Sequence, residues 1–242
     1  MAHISHASRT RPHRQRRPAH SPLGAPILLF LGATFLAAAY VAYALWPRWP
    51  VGSVSPDAPA LPVMISGVMF TIEPAAIRMP VQRKPGAQER IDLAYLWPSL
   101  APPDPAARPS VGAPLDPNER LFLTISDGEA TLPVAERVKS IYPRYLAERS
   151  EPGPPGLTLR AFRDTSPYRG EDLIYDPQTP GHFLARCSRQ EVGNNGMCLL
   201  ERRVGSADIT LRFPRDWLSD WKGVANGIDK LLARLHPDPP SS

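Results

Sequence analysis

The sequence is poor in cysteine and has no acidic residue near its N-terminus. Only two of the 242 residues are cysteine, which excludes a small fold held together by many disulfides. No residue before Asp57 is acidic, whereas residues 1–22 contain five arginines. Removing those five from the 28 basic residues leaves 23, which equals the number of acidic residues. The net charge of +5 therefore resides in the tail, and the balanced remainder argues against nucleic-acid binding.

Motifs of the common catalytic and cofactor-binding classes are also missing. The sequence has no glycine-rich phosphate-binding loop, no dinucleotide fingerprint, no His-Glu-X-X-His pair and no Gly-X-Ser-X-Gly nucleophile elbow. After the tail, the histidines are His182 and His236 only. We therefore expect neither a metal nor a cofactor, and a non-enzymatic function is the first hypothesis.

A long uncharged segment follows the basic tail. Residues 23–46 contain no charged side chain, and a helix needs about 20 apolar residues to cross a hydrocarbon core of about 30 Å. Aromatic residues, which favour the headgroup layer, gather at its far end: Tyr40, Tyr43, Trp46 and Trp49. Because the arginines precede the segment, the positive-inside rule predicts a cytoplasmic N-terminus. The sequence thus predicts a single-pass protein of a bacterial inner membrane with a periplasmic C-terminal domain.

Two other interpretations of this segment stay open. Residues 42–44 read Ala-Tyr-Ala and fit a signal-peptidase site, although the apolar run is longer than the usual 7 to 15 or so residues. A mitochondrial presequence is also rich in arginine, but Pro12, Pro18 and Pro22 interrupt the amphipathic helix that it needs. We favour an uncleaved anchor, and a cleaved signal would export the same domain.

The two cysteines lie in short strand-like segments, residues 182–188 and 197–203. Residues 193–196 between them read Gly-Asn-Asn-Gly, which is a turn signal. A hairpin centred near Val192 and Gly193 places Cys187 opposite Cys198. An exported domain meets an oxidising compartment, so we expect a disulfide between them. Free buried thiols and a redox-active pair are the alternatives.

Composition divides the chain into five segments. A basic, disordered cytoplasmic tail (1–22) and the transmembrane helix (23–46) are followed by a proline-rich spacer (47–62). Residues 63–236 then form one exported domain, and residues 237–242 a disordered tail. A second proline-rich stretch, residues 98–117, is expected to be a surface loop inside the domain.

Alternation of apolar and polar residues predicts about seven strands in the exported domain. The segments are 65–72, 91–97, 121–125, 157–161, 207–213 and the two of the cysteine hairpin. Helical periodicity predicts two helices, 133–148 with a kink or a break at Pro143, and 214–235 with Pro214 and Asp216 in its first turn. An α+β fold follows, in which a mainly antiparallel sheet is covered by the C-terminal amphipathic helix.

Two glycines of the predicted C-terminal helix, Gly223 and Gly227, lie off its apolar stripe. Glycine lowers helix stability by about 1 kcal/mol relative to alanine. We favour the interpretation that a well-packed helix tolerates both residues. The alternative is that they allow another chain to approach closely.

The densest polar cluster of the sequence spans residues 166–176. It is our candidate binding surface for a protein partner, and its members are Tyr168, Arg169, Glu171, Asp172, Tyr175 and Asp176. The simplest interpretation is a solvated loop in which Arg169 neutralises a neighbouring carboxylate. Carboxylates this close also suit a calcium ion or an acid and base pair.

Two functions follow as hypotheses. The first is a membrane-anchored scaffold or assembly module that binds a protein partner in an envelope or membrane complex. The alternative is an exported hydrolase that uses Glu171, Asp172 or Asp176 together with His182. A transmembrane sensor is disfavoured because a tail of 22 residues has no room for an output domain.

Overall fold

A computed structural model describes residues 24–45, 54–55, 57–104, 119–128, 131–189 and 196–237. The chain divides into two compact units, Met1–Trp49 and Pro50–Ser242. The basic tail and most of residues 98–117 lie outside the described residues, as do the centre of the cysteine hairpin and parts of the spacer and C-terminal tail.

The first unit contains helix α1 (Gly24–Leu45). Within it, Pro26–Ala44 is long and apolar enough to cross a membrane, and it is the one such helix among the described residues. The described side chains of this segment are exposed to its surroundings. A signal sequence near an N-terminus also passes this test of length and composition, so the helix alone is weak evidence for a membrane anchor.

The second unit begins with a small three-stranded sheet. Strands β1 (Leu61–Ile65) and β2 (Val68–Ile72) form an antiparallel hairpin, and β3 (Gly86–Ala87) runs parallel to β1. The hairpin turns at Ser66 and Gly67, which both have positive φ. The prediction of one strand across residues 65–72 was therefore wrong, because this Ser-Gly turn separates two strands.

A larger antiparallel sheet has eight strands in the order β4-β5-β11-β10-β9-β8-β7-β6. Their bounds are β4 (Arg90–Leu96), β5 (Arg120–Asp127), β6 (Glu151–Pro152), β7 (Thr158–Ala161), β8 (Glu171–Tyr175), β9 (Leu184–Ser188), β10 (Met197–Val204) and β11 (Ala207–Pro214). Alternate residues of these strands fill a core on one face, as the sequence pattern predicts. The predicted α+β fold with a mainly antiparallel sheet is confirmed.

Helix α3 (Trp221–Leu235) packs on the main core through its apolar stripe. The predicted start at Pro214 was wrong, because Pro214 ends β11 and Arg215–Asp220 forms a 3-10 turn. The Asp220 carboxylate accepts a hydrogen bond from the Gly223 amide at 3.2 Å, so Asp220 caps the helix. Proline and acid near residue 214 suggested a first helical turn, but Pro214 is the last residue of the strand and Asp216 lies in the 3-10 turn.

Gly227 lies in the contact between α3 and the end of β4. Strand β4 ends at Leu96, one residue before the predicted end, and the Trp97 ring then packs on Gly227 and stacks on Trp217. Gly227 is buried in this contact, so its placement off the apolar stripe was wrong. The close approach that this glycine allows is to an aromatic ring of its own chain.

Replacing Gly227 with alanine is expected to destabilise the domain by about 1–3 kcal/mol. The new methyl carbon would lie 2.7 Å from a ring carbon of Trp97. At a helix position without such a clash, replacing glycine with alanine stabilises the helix by about 1 kcal/mol. Urea unfolding of the full-length chain measures the effect. In a Trp97→Leu background the substitution should become neutral or stabilising, whereas stabilisation in the unaltered chain would contradict the clash.

A second, smaller core lies on the opposite face of the sheet. Helix α2 (Val134–Ser140) is followed by a 3-10 turn, Tyr142–Arg144, so the predicted helix is split near Pro143, and its predicted end at residue 148 was wrong because residues 145–148 are not helical. The smaller core contains Tyr142, Leu146, Phe162, Leu173 and Leu184. Helix α2 itself contributes only partly buried residues to it.

Candidate functional site

Residues 171–175 of the polar cluster form strand β8, so the prediction of a solvated loop was wrong for this part. Side chains alternate across a strand, and Glu171 and Asp172 therefore project from opposite faces of the sheet. Ile174, on the face of Asp172, packs in the main core, and Leu173, on the face of Glu171, packs in the smaller core. The two carboxylates are thus separated by the sheet.

Asp172 is held by two arginines. Its side chain is only 7% exposed, and it accepts a hydrogen bond from Arg189 Nε at 3.1 Å and an ion-pair contact from Arg215 Nη2 at 2.8 Å. The same guanidinium groups donate to backbone carbonyls, Arg189 to Phe162 and Arg215 to Ser188. Asp172 is therefore the buried centre of a charge network that connects several segments and is partly exposed at Arg189.

The predicted disulfide between Cys187 and Cys198 is present. The two residues are direct cross-strand partners in β9 and β10, and both are buried. Cys187 is also the direct partner of Asp172 in β8. Carboxylate and disulfide therefore lie in one row across three adjacent strands.

Glu171 and Tyr168 meet at a different arginine, Arg186. The Glu171 carboxylate lies 2.9 Å from Arg186 Nη1, and the Arg186 guanidinium stacks over the Tyr168 ring with 5.0 Å between their centres. Tyr168 in turn packs against the rings of Tyr142 and Phe162. Glu171 is neutralised by Arg186 and Asp172 by Arg189 and Arg215, so the expectation that Arg169 would do this was wrong.

Asp176 stabilises the turn that follows β8. Its carboxylate accepts hydrogen bonds from the Thr179 hydroxyl at 2.5 Å and the Gln178 amide at 3.0 Å. Both hydrogen bonds lower the pKa of Asp176 below its ordinary value, and the bond from Thr179 has the larger effect. Tyr175 is half-buried beside the smaller core, and Arg169 is exposed.

His182 does not form an ion pair with the carboxylates of the polar cluster in the described part of the chain. Its Nε2 lies 3.5 Å from a carboxylate oxygen of Asp229 on α3, and both side chains are about half exposed. Glu171, Asp172 and Asp176 are therefore placed in three separate environments, and His182 lies near enough to Asp176 for its charge to act on that carboxylate without an ion-pair contact. Among the described residues, no group of three or more His, Cys, Asp or Glu could hold a metal ion.

A concave surface that the sequence did not indicate lies between α2 and the sheet, and we call it the α2 groove. It consists of two adjoining cavities of about 190 and 270 Å³ that share Val134, Ala135, Gly181 and Arg202. The groove forms because the β9–β10 register ends at the pair Leu200 and Ala185, while β10 continues to Val204. Unequal strand lengths open this space, and they leave no signal in the hydrophobic pattern.

The larger cavity of the α2 groove is mainly apolar. Its apolar wall is formed by Val134, Ala135, Val138, Pro180 and Leu184. Periodicity correctly placed Val134 and Val138 on one stripe of a helix, but they are only half-buried. Part of the stripe expected to fill the core therefore borders a cavity.

The smaller cavity of the α2 groove has a charged rim. Arg137 contacts Glu201 at 2.7 Å, and Arg203 contacts Asp208 at 2.7 Å. Burial acts to raise the pKa of Asp208, but hydrogen bonds from Arg203 and Thr131 outweigh burial and the pKa is lowered. The rim therefore contains two satisfied ion pairs beside Arg202.

No protein-family model and no curated protein matches this sequence. Two solved structures align with this chain. An immunity protein of the Stenotrophomonas maltophilia type IV secretion system aligns with a TM-score of 0.50 and 17% identity, over 73% of this chain and 92% of that protein. An iron-regulated outer membrane lipoprotein of Neisseria meningitidis aligns with a TM-score of 0.37 and 12% identity, over 74% and 94%. The chain thus shares its α+β fold with the immunity protein.

Proposed function

We propose that this chain is an envelope protein, anchored in a bacterial inner membrane by residues 23–46, whose periplasmic domain scaffolds or helps assemble a membrane complex by binding a protein partner. The observation that carries the proposal is the buried Cys187–Cys198 disulfide in a chain that also has an apolar helix of membrane length. Disulfides persist in the periplasm and are rare in the cytosol. The arginines that precede the helix support export of the C-terminal domain.

Two observations support the binding role. An immunity protein acts by binding another protein, and the immunity protein described above shares the fold of this chain. The carboxylates Glu171 and Asp172 are engaged by arginines of their own chain, so they are not free to act on a substrate. The α2 groove offers a partner both apolar surface and positive charge.

A membrane-impermeant reagent that joins two amines tests export and partner binding together. The four lysines of the chain are all exposed and belong to the second unit: Lys84, Lys139, Lys222 and Lys230. Added to intact spheroplasts, the reagent is expected to join the full-length chain to the same partner protein in repeated preparations. Purification of the tagged chain under denaturing conditions and mass spectrometry of the adduct provide the measurement.

The matched control replaces the four lysines by arginine, which keeps the charge and removes the reactive side-chain amines. This variant should give no adduct. An adduct that forms only after lysis of the spheroplasts would contradict the proposed orientation. Recovery of the monomer alone, from intact and from lysed cells, would contradict the binding role.

A further inference from the structure

Arg202 in the α2 groove has a positive charge that no contacting carboxylate balances within the described part of the chain. Its guanidinium donates to the backbone carbonyls of Glu201, at 3.2 Å, and of His182. Peptide carbonyls accept hydrogen bonds but carry no net charge. Burial lowers the pKa of Arg202, and the charge of Asp229 acts in the opposite direction without direct contact. A carboxylate that reaches a partly buried guanidinium without an ion-pair partner forms a favourable ion pair with it, because the planar guanidinium can donate to both carboxylate oxygens.

The neighbouring charges of the α2 groove add to this excess. Four basic residues, Arg137, Lys139, Arg202 and Arg203, line the two cavities, against the acidic Glu201 and Asp208. Both acids are already paired, Glu201 with Arg137 and Asp208 with Arg203. The groove is therefore complementary to a negatively charged ligand.

An apolar wall lies directly beside this charge. Val134 and Val138 of α2 face the same cavity as Leu184, and Arg202 lines that cavity too. None of the residues of α2 is fully buried, so the helix leaves apolar surface uncovered. Burial of apolar surface gains about 25 cal/mol per Å² on binding before the cost of association is subtracted.

We propose that the α2 groove binds an extended segment of a partner protein in which an apolar side chain stands next to an aspartate or glutamate. The apolar side chain enters between Val138 and Leu184, and the carboxylate pairs with Arg202. The inference rests on the proposed function, since it identifies the surface and the chemistry with which the exported domain holds its partner.

The test uses two defined peptides and the full-length chain in detergent, with labelled Val and Leu methyl groups. The peptides are acetyl-Ala-Leu-Asp-Ala-amide and its Asn counterpart, which differ in one carboxylate. The Asp peptide is expected to shift the methyl signals of Val134, Val138 and Leu184 to saturation. It should bind about tenfold more tightly than the Asn peptide, because the ion pair to a desolvated arginine is lost in the latter.

Three variants make the result specific. In Arg202→Gln the two peptides should bind equally, whereas Arg149→Gln, which removes an exposed arginine outside the groove, should keep the tenfold preference. Ala135→Trp places a large ring in the groove from an exposed position and should abolish binding of both peptides. Because Ala135 is exposed, this variant keeps the inference testable even if Arg202→Gln fails to fold.

Equal binding of the two peptides to the unaltered chain, or no saturable shift at the three groove residues, would overturn the inference. The spheroplast crosslinking experiment separates this failure from failure of the proposed function. If the same partner is still recovered with Ala135→Trp, the domain binds a partner elsewhere and only the groove assignment is wrong. If no partner is recovered from the unaltered chain, the binding role itself is wrong.

Discussion

Replacement of Asp172 by asparagine is expected to destabilise the second unit by about 3 kcal/mol or more. The substitution removes the carboxylate charge that pairs with the mostly buried Arg215, and it leaves the positive charge of Arg189 close by, although Arg189 is 36% exposed and keeps its contact with Asp164. Neither guanidinium can withdraw into solvent without breaking its hydrogen bond to a backbone carbonyl, that of Phe162 or of Ser188. The free energy of unfolding of the full-length chain in urea gives the measurement.

The neighbouring carboxylate provides a matched control. Glu171 precedes Asp172 in the same strand but makes one ion pair, with Arg186, and its side chain is 35% exposed. Solvent screens this pair, so Glu171→Gln should cost about 1 kcal/mol or less. If the two substitutions lower the free energy of unfolding equally, the charge network around Asp172 contributes no more stability than the single ion pair of Glu171.

Loss of the disulfide is expected to have the second large effect. Cys187 and Cys198 are eleven residues apart in sequence, and closing a loop of this size contributes about 3 kcal/mol by restricting the unfolded chain. The double substitution to alanine should therefore lower the free energy of unfolding by about 3 kcal/mol. Removing both sulfur atoms avoids leaving one free thiol.

Thiol alkylation of the full-length chain checks the disulfide independently. Without reductant no cysteine should react, and after unfolding in reductant both should. The unaltered chain in reductant should then unfold at the same urea concentration as the double alanine variant. Two reactive thiols in the absence of reductant would contradict the disulfide.

These two perturbations are expected to be non-additive. Asp172, Cys187 and Cys198 stand in one row across β8, β9 and β10, so the charge network and the disulfide hold the same three strands together. Residues that share such a contact couple by about 0.5–3 kcal/mol in double-mutant cycles. Combining Asp172→Asn with the double alanine variant should therefore cost less than the sum of the separate losses.

Features with a regular sequence period were the predictable part of this fold. Alternation identified β5 and β11, and a 3.6-residue period identified the stripe of α3, because each pattern reflects one buried face. The cysteine pairing followed from two strands and a turn signal. The hairpin at Ser66 and Gly67 was missed because a two-residue turn hardly interrupts the surrounding apolar run.

The polar cluster was misjudged because its partners are distant in sequence. In sequence, a strand with adjacent acidic residues resembles a solvated loop. The arginines that pair with these acids, Arg186, Arg189 and Arg215, come from other segments, and the sequence does not indicate where an arginine side chain will pack. The α2 groove was missed for a different reason. It depends on where β9 begins relative to β10, and segment boundaries are the least certain part of a sequence interpretation.

The order of the eight-stranded sheet also bears on how copies of this domain behave at high local concentration. One edge strand, β6, has two residues, and one of them is Pro152, which has no backbone N–H to offer an incoming strand. At the other edge, Leu93 of β4 is bridged by Ile77. Both edges are thus poor templates for strand addition, so high local concentration should not drive these sheets to fuse into fibrils.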